Sequence, residues 1–254
     1  MRVWINHELV ESDIADLGSD GWPNGEGIFE TIRTENGEVF ELGRHMRRAI
    51  DASSAKGFSL PSEEQIRSGI ELLLSAEPHK IGRLRLLFAK DRFIAMHHLY
   101  EDLASSASLM IASDSNQTGS ISSKTYPYEH RLSLLRHANA QGFDEIICVN
   151  ARDEITEGAV SNLVFRLGGE WVTPPLSSGI LPGIQRGIVI ERCEVLVRQL
   201  LRSDLEKVDA AFLISSLKIA RAVATIAGKP LQIDEDCTAL AANIRANTDK
   251  HSVG

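Results

Sequence analysis

Thr156-Glu-Gly-Ala-Val-Ser-Asn-Leu-Val-Phe165 is the stretch on which the fold turns. A carboxylate stands beside a glycine, and a β-branched and aromatic run follows it. Upstream, Ile146-Ile-Cys-Val149 reads as a buried strand and Asn150-Ala-Arg-Asp153 as a turn. Downstream, Gly168-Gly169 sends the chain back through Trp171-Val-Thr173, and Pro174-Pro175 ends the pairing. The spacing predicts antiparallel hairpins, with Glu157 in a turn-flanked strand.

Working outward, Ser178-Gly-Ile-Leu-Pro-Gly-Ile-Gln-Arg186 leads into a periodic stretch that predicts one long helix to about Leu201. Its first turn offers unpaired backbone N–H groups and the positive end of a dipole, which suit a phosphate. Taken alone, a plain helix start reads equally well. Ala210-Ala-Phe-Leu-Ile214 predicts a strand closing on the hydroxyls Ser215-Ser216, and a terminal helix lies around Leu240 to Ile244. In the other direction, Pro127 to Gln141 predicts a helix with Leu132, Leu135 and Ala138 inward. Before it, the small polar run from Ser115 reads as an inter-domain linker that ends at Lys124.

The first half alternates differently. Val3 to Val10 predicts two short strands around a polar turn. Gly18 to Gly27 is a glycine-dense loop without the lysine ending of a P-loop. Ile28-Phe-Glu-Thr-Ile-Arg33 reads as a strand with Phe29, Thr31 and Arg33 on one face and Ile28, Glu30 and Ile32 on the other. Asn36-Gly37 is a hairpin signal returning through Val39 to Leu42. Gly43 to Gly57 predicts a helix with His45 and Arg48 on a shared face, by themselves a solvated surface pair. Ser62-Glu-Glu-Gln65 is a capping box opening a second helix through Leu74. Lys80 to Lys90 predicts a strand with Arg83 and Arg85 on one side, lining either an anion or solvent; Leu109 to Ala112 predicts a buried strand. The organisation expected is a small α+β domain over 1–113, a linker over 114–123 and a larger domain over 124–254.

With 254 residues the chain can bury a substantial core. A formal charge of −8 and the absence of a long basic run argue against nucleic-acid or membrane-surface partners. The three cysteines, Cys148, Cys193 and Cys237, lack metal-ligand spacing and read as buried thiols; no metal is expected. The start Met1-Arg-Val-Trp-Ile-Asn6 lacks a signal-peptide core, so a cytoplasmic protein is expected.

Lys124 and Glu157 are the two protein charges that pyridoxal 5'-phosphate (PLP) needs. The amine makes a Schiff base, and the carboxylate keeps the pyridine nitrogen protonated. Six motifs in order then carry a resemblance. They are Gly-x-Gly-x-Phe-Glu at Gly25 to Glu30, His-x-x-Arg at His45 to Arg48, Lys124, and Thr-Glu-Gly-x-x-Ser-Asn at Thr156 to Asn162. Thr-Pro-Pro-Leu at Thr173 to Leu176 and Gly-Ile-Leu-Pro-Gly-Ile-x-Arg at Gly179 to Arg186 complete the set. The chain resembles the class IV aminotransferases, the fold-type IV PLP enzymes, from about Ile5 to about Val223.

The resemblance implies an α/β fold of the α+β type, in two domains with the cofactor between them, in a homodimer. It makes Lys124 the Schiff-base lysine and proton shuttle, and Glu157 the partner of the ring nitrogen. Arg48 and Ser216 become phosphate ligands, with Ile184 and Gln185 acting through backbone N–H groups. Leu181 packs on the cofactor ring. The substrate implied is a small amino compound with a carboxylate, and Phe29, Thr31, Arg33, Arg85 and Arg92 are the candidates to meet it. Tyr128 is the candidate partner of the phenolic oxygen, because Lys124 is followed by Thr-Tyr-Pro-Tyr where the family often has asparagine. The run Ala89-Lys-Asp-Arg92 also departs from the Arg-Gly-rich loop of many members. Thr31, the Trp171-Val-Thr-Pro-Pro-Leu176 run and the short chain are most similar to 4-amino-4-deoxychorismate lyase, of folate biosynthesis. Amino-group exchange between a branched-chain or D-amino acid and a 2-oxo acid is the alternative.

Overall fold

Strand alternation and helix period sort the residues into two sheets, each with its own core. The computed structural model describes residues 1–15, 17–18, 21–114 and 123–250. The linker expected over 114–123 lies outside the described residues except for Asp114 and Ser123. One compact unit holds Met1–Glu101, Ser123–Tyr128 and Asp249–Gly254; the other holds Asp102–Ser122 and Glu129–Thr248.

The first unit is built on an antiparallel sheet. Its strands are β1 (Arg2–Ile5), β2 (Glu8–Glu11), β3 (Gly27–Glu35), β4 (Glu38–Val39), β5 (Ile81–Ala89) and β6 (Arg92–Leu99). They run in the order β2-β1-β6-β5-β3-β4. The helices α1 (Leu42–Ala55) and α2 (Glu63–Ala76) cover one face. Ser62 caps α2 as its sequence predicts, its hydroxyl accepting from Gln65 N at 3.2 Å. The core under the helices joins Ile28, Ile32, Leu84, Leu86 and Phe88 to Ala49, Ile66, Ile70 and Leu73. Full burial of side chains of this size stabilises by about 1.5–3 kcal/mol each.

The buried strand expected around Leu109 to Ala112 forms, but not in this sheet. It is β7 (Ala107–Ser113), and it pairs in parallel with β9 (Glu145–Val149) and β14 (Ile219–Ile226) of the second unit. By contrast, β8 (Thr125–Tyr126), directly after Lys124, pairs with β3 of the first. Sheet two also contains β10 (Asn162–Leu167), β11 (Glu170–Thr173), β12 (Leu196–Val197), β13 (Ala210–Ser215) and β15 (Lys229–Pro230). Its order is β12-β11-β10-β13-β14-β7-β9, with β15 on β14. Helices α3 (Glu129–Ala140), α4 (Ile184–Arg192) and α5 (Glu235–Ala246) complete the unit.

The long helix expected to reach Leu201 stops at Arg192. Glu194 takes a left-handed φ of 57°, which ends the helical path. Val195 and Leu200 then enter the core from irregular chain, while Leu196 and Val197 pair with the edge of β11. Their apolar spacing imitates a helix period without being one.

Candidate active site

Lys124 sits where β8 meets β3. Its carbonyl accepts from Phe29 N at 2.9 Å, and Gly27 and Ile28 pair with Tyr126 and Thr125. Gly27 has to be glycine, because a Cβ there would lie 2.3 Å from the Phe88 carbonyl oxygen and 2.4 Å from Tyr126 Oη. The Lys124 ammonium lies 4.4 Å from the Phe29 ring centroid and 5.1 Å from that of Tyr128. The two rings meet edge to face at 4.9 Å. The ring faces attract the ammonium electrostatically.

Glu30 lies on the apolar face of β3. A carboxylate at 2% exposure needs partners. His45 Nδ1 stands 2.6 Å from its Oε2, and Arg48 donates from Nε at 2.8 Å and Nη2 at 2.5 Å. His45 and Arg48 thus form an inward cluster, not the solvated pair their spacing alone suggests. Burial works against the Glu30 charge, but Arg48 and then His45 outweigh it and hold the carboxyl at about 2. Burial lowers the His45 pKa, against the pull of Glu30. The His45 ring and the two Arg48 bonds together satisfy the carboxylate.

A row of arginines crosses the other face of this sheet. Arg33 faces Arg83, and Thr31 faces Arg85, across the β3–β5 ladder. Arg33 is buried and donates to Glu35 at 2.7 Å. Arg85 stacks over Trp22, its guanidinium carbon 4.3 Å from the ring centroid. Arg83 has a buried Nε with no hydrogen-bond partner, and burial lowers its pKa. His98, opposite Arg83, is pushed to about 4 by burial and then by Arg83 and Arg85. The face is therefore strongly cationic. Arg92 opens β6 and is partly exposed.

In the second unit, Glu157 follows a run tied to β9: Thr156 N donates to Cys148 O at 2.9 Å, and Cys148 N to Glu157 O at 3.0 Å. Three donors converge on its carboxylate. Asn162 Nδ2 and Leu181 N reach Oε2 at 3.1 and 3.0 Å, and Arg131 Nη2 reaches Oε1 at 3.0 Å. Asn162 also donates to Leu181 O at 3.2 Å, joining the glutamate to the turn before α4. A Cβ on Gly183 would meet Asn162 Oδ1 at 1.8 Å, so the turn closes only on glycine. Gly183 caps α4 without a side-chain bond, which leaves the helix entrance to backbone N–H groups from Ile184 and Gln185. The Gln185 side chain turns inward to Thr248 Oγ1 at 2.6 Å. Ile214 pairs with Asn162, so Ser216, just past β13, lies at the sheet end where Asn162 begins.

Cys148, packed with Ala138, Ile146 and Ala159, has its thiol pushed up to about 12, chiefly by burial. Glu145 accepts from Val160 N, Ser161 Oγ and Lys218 Nζ at 2.9, 3.0 and 3.3 Å. The sequence alone assigns no role to Glu30, Arg131, Asn162, Glu145 or Lys218. Among these Glu30 does carry a signal, an acid among the apolar positions of β3.

PLP needs an anion for its ring nitrogen and a cationic or N–H-lined pocket for its phosphate. The buried, donor-held Glu157 and the glycine turn entering α4 fit both demands within one unit. Among the described residues no cluster of histidine, cysteine and carboxylate side chains could hold a metal, and no helix is long and apolar enough to cross a membrane.

The family model of class IV amino-transferases matches residues 27–226. The D-alanine aminotransferase of Bacillus licheniformis is 26% identical over 213 residues, 76% of this chain and 75% of that one. The bifunctional aminodeoxychorismate lyase / D-amino acid transaminase of Mycobacterium tuberculosis is 23% identical over 268 residues, 91% of this chain and 93% of its own. A hypothetical aminotransferase of Mycobacterium tuberculosis, solved in a PLP-bound form, superposes with a TM-score of 0.83 at 21% identity, covering 97% of this chain and 98% of that one.

Proposed function

We propose that this chain, which belongs to the class IV amino-transferase family of PLP-dependent enzymes, is a 4-amino-4-deoxychorismate lyase. Bound PLP supplies an electrophilic carbon for an amine and a ring that accepts electrons. The rest is the work of this chain. Lys124 takes the proton from the amino-bearing carbon of the substrate. The carbon–oxygen bond to the three-carbon side chain then breaks, the side chain leaves as the enolate of pyruvate and takes up a proton to become pyruvate, which balances the proton Lys124 removed, and the ring that remains is 4-aminobenzoate. Glu157 holds a proton on the ring nitrogen. Arg48, Ser216 and the N–H groups of Ile184 and Gln185 hold the phosphate, while Leu181 covers the ring.

The lyase reading is supported by the cationic face of β5, which would equally receive a dicarboxylic 2-oxo acid. The lyase substrate bears two carboxylates, and Arg83 offers a buried Nε with no hydrogen-bond partner, two residues from Arg85. A guanidinium N–H buried without an acceptor is unfavourable, and a carboxylate supplies the bond it lacks. A second reading, exchange of amino groups between an amino acid and a 2-oxo acid, is favoured by the name of the Bacillus licheniformis relative. A homodimer is proposed for either reaction.

The deciding assay offers purified enzyme 4-amino-4-deoxychorismate in one arm and D- or branched-chain amino acids with 2-oxoglutarate in the other. Pyruvate and 4-aminobenzoate appearing together support the lyase. Keto-acid exchange without them replaces it with the transaminase.

A further inference from the structure

The strongest unexplained cation near Glu157 is Arg131. It lies in the first turn of α3, where the helix dipole disfavours a positive charge. Its side chain is only 14% exposed. Such a placement needs compensation, which its hydrogen bonds supply. Nε donates to the Ala159 carbonyl at 2.9 Å, and Nη2 donates to the Gly158 carbonyl and, at 3.0 Å, to Glu157 Oε1. One guanidinium thus grips three consecutive residues. On its far side Nη1 is 3.5 Å from Asp114 Oδ2, and His130 Nε2 is 3.1 Å from Asp114 Oδ1.

We infer that Arg131 is a positioning residue for Glu157, with Asp114 as its support. Its planar fork sets the orientation of the carboxylate against the Gly158–Ala159 turn. Its charge also limits how basic that carboxylate is, and so how tightly a proton is held on the cofactor ring. Asp114 turns the guanidinium and neutralises part of its charge. The titratable and charged groups facing this cluster are Glu157, Asp114, His130, Cys148, Glu145 with its partner Lys218, and the buried Arg186, whose charge also acts on Glu157. Lysine could supply the charge but not the three-way fork.

The inference rests on PLP binding with Glu157 at the ring nitrogen, so wild-type enzyme is tested first. If it takes up no PLP and borohydride fixes none on Lys124, the functional reading fails and Arg131 loses its role with it. With PLP bound, three holoenzymes are compared: wild type, Arg131→Met and Arg131→Lys. The pH midpoint of the cofactor's visible absorbance is measured beside kcat and KM. In Arg131→Met the midpoint rises by about half to one unit, because a cation has left the site. Its kcat falls about tenfold to a hundredfold, as for other outer partners of a functional group, with KM changed less than about threefold. Arg131→Lys keeps the midpoint near wild type but still loses kcat, separating charge from fork. An unmoved midpoint in Arg131→Met, or wild-type kcat in Arg131→Lys, overturns the inference. If Arg131→Met does not fold, Arg131→Lys and Asp114→Asn decide. Asp114→Asn must lower the midpoint, since it unmasks the Arg131 charge; no change in that variant also overturns it.

Discussion

The two units bring different charges to their candidate functional residues. In the first, Arg33, Arg83 and Arg85 stand on one face, and the two acids nearest them in strand order, Glu30 and Glu35, are already committed to Arg48, His45 and Arg33. In the second, the buried groups of interest are carboxylates. Glu157 and Glu145 are held by Arg131, Lys218, side-chain amide and hydroxyl donors, and backbone N–H groups. A fixed anion suits a cofactor nitrogen that must stay protonated. A cationic face suits carboxylates that come and go.

Removing the lysine that the aromatic face of the first sheet holds is the hardest test. Lys124→Ala lowers turnover by about a thousandfold or more, because the amine that moves the proton is gone. PLP uptake survives and is followed by absorbance; substantial residual turnover would remove Lys124 as the base. Glu157→Gln tests the fixed anion of the second sheet. An amide cannot keep a ring nitrogen cationic, so kcat falls about a hundredfold while PLP affinity changes much less. Wild-type turnover would take Glu157 out of the chemistry.

Arg48→Ala probes the place where the first sheet also fixes an anion. The PLP dissociation constant rises about tenfold or more, because a charge-assisted bond to the phosphate is removed. Glu30 is left with His45 alone. Its carboxyl sits near 2 in the fold against an ordinary 4.5, so its contribution is present above about 4.5 and is lost as pH falls towards 2. That contribution is on the order of 3 kcal/mol at neutral pH and is mostly absent in Arg48→Ala. Urea unfolding from pH 7 to pH 3 reads it as a shallower acid edge in the variant; identical edges would contradict the pairing. The smallest effect belongs to Arg83→Met. KM for the two-carboxylate substrate rises about tenfold with kcat little changed, and stability stays within about 1 kcal/mol because a buried, unbonded donor is removed. An unchanged KM would detach the cationic face from substrate binding.

Much of this fold is legible in local chemistry. Asn36-Gly37, the Ser62 cap and the Gly168-Gly169 turn fix their neighbours through φ and side-chain bonds that need no distant partner. The misreading past Arg192 has the opposite origin: Val195 and Leu200 answer to a distant core. β7 likewise looks the same in either half until its parallel partners, β9 and β14, are known. The motif residues Lys124, Arg48 and Glu157 are readable because their types and order are restrictive. Arg131 is not, since an arginine early in an amphipathic helix looks solvated unless Asp114 and Glu157 are seen beside it.

The thiols have a practical consequence. All three cysteines are buried and unpaired with one another, and burial raises the pKa of each. Thiolate is the species that maleimides capture, so the native chain stays dark to such dyes while folded. A cysteine introduced at an exposed position of either unit would then be the sole label site, with no background to subtract. Fluorescence reporters of cofactor uptake can be built on the natural sequence without first stripping it of sulfur.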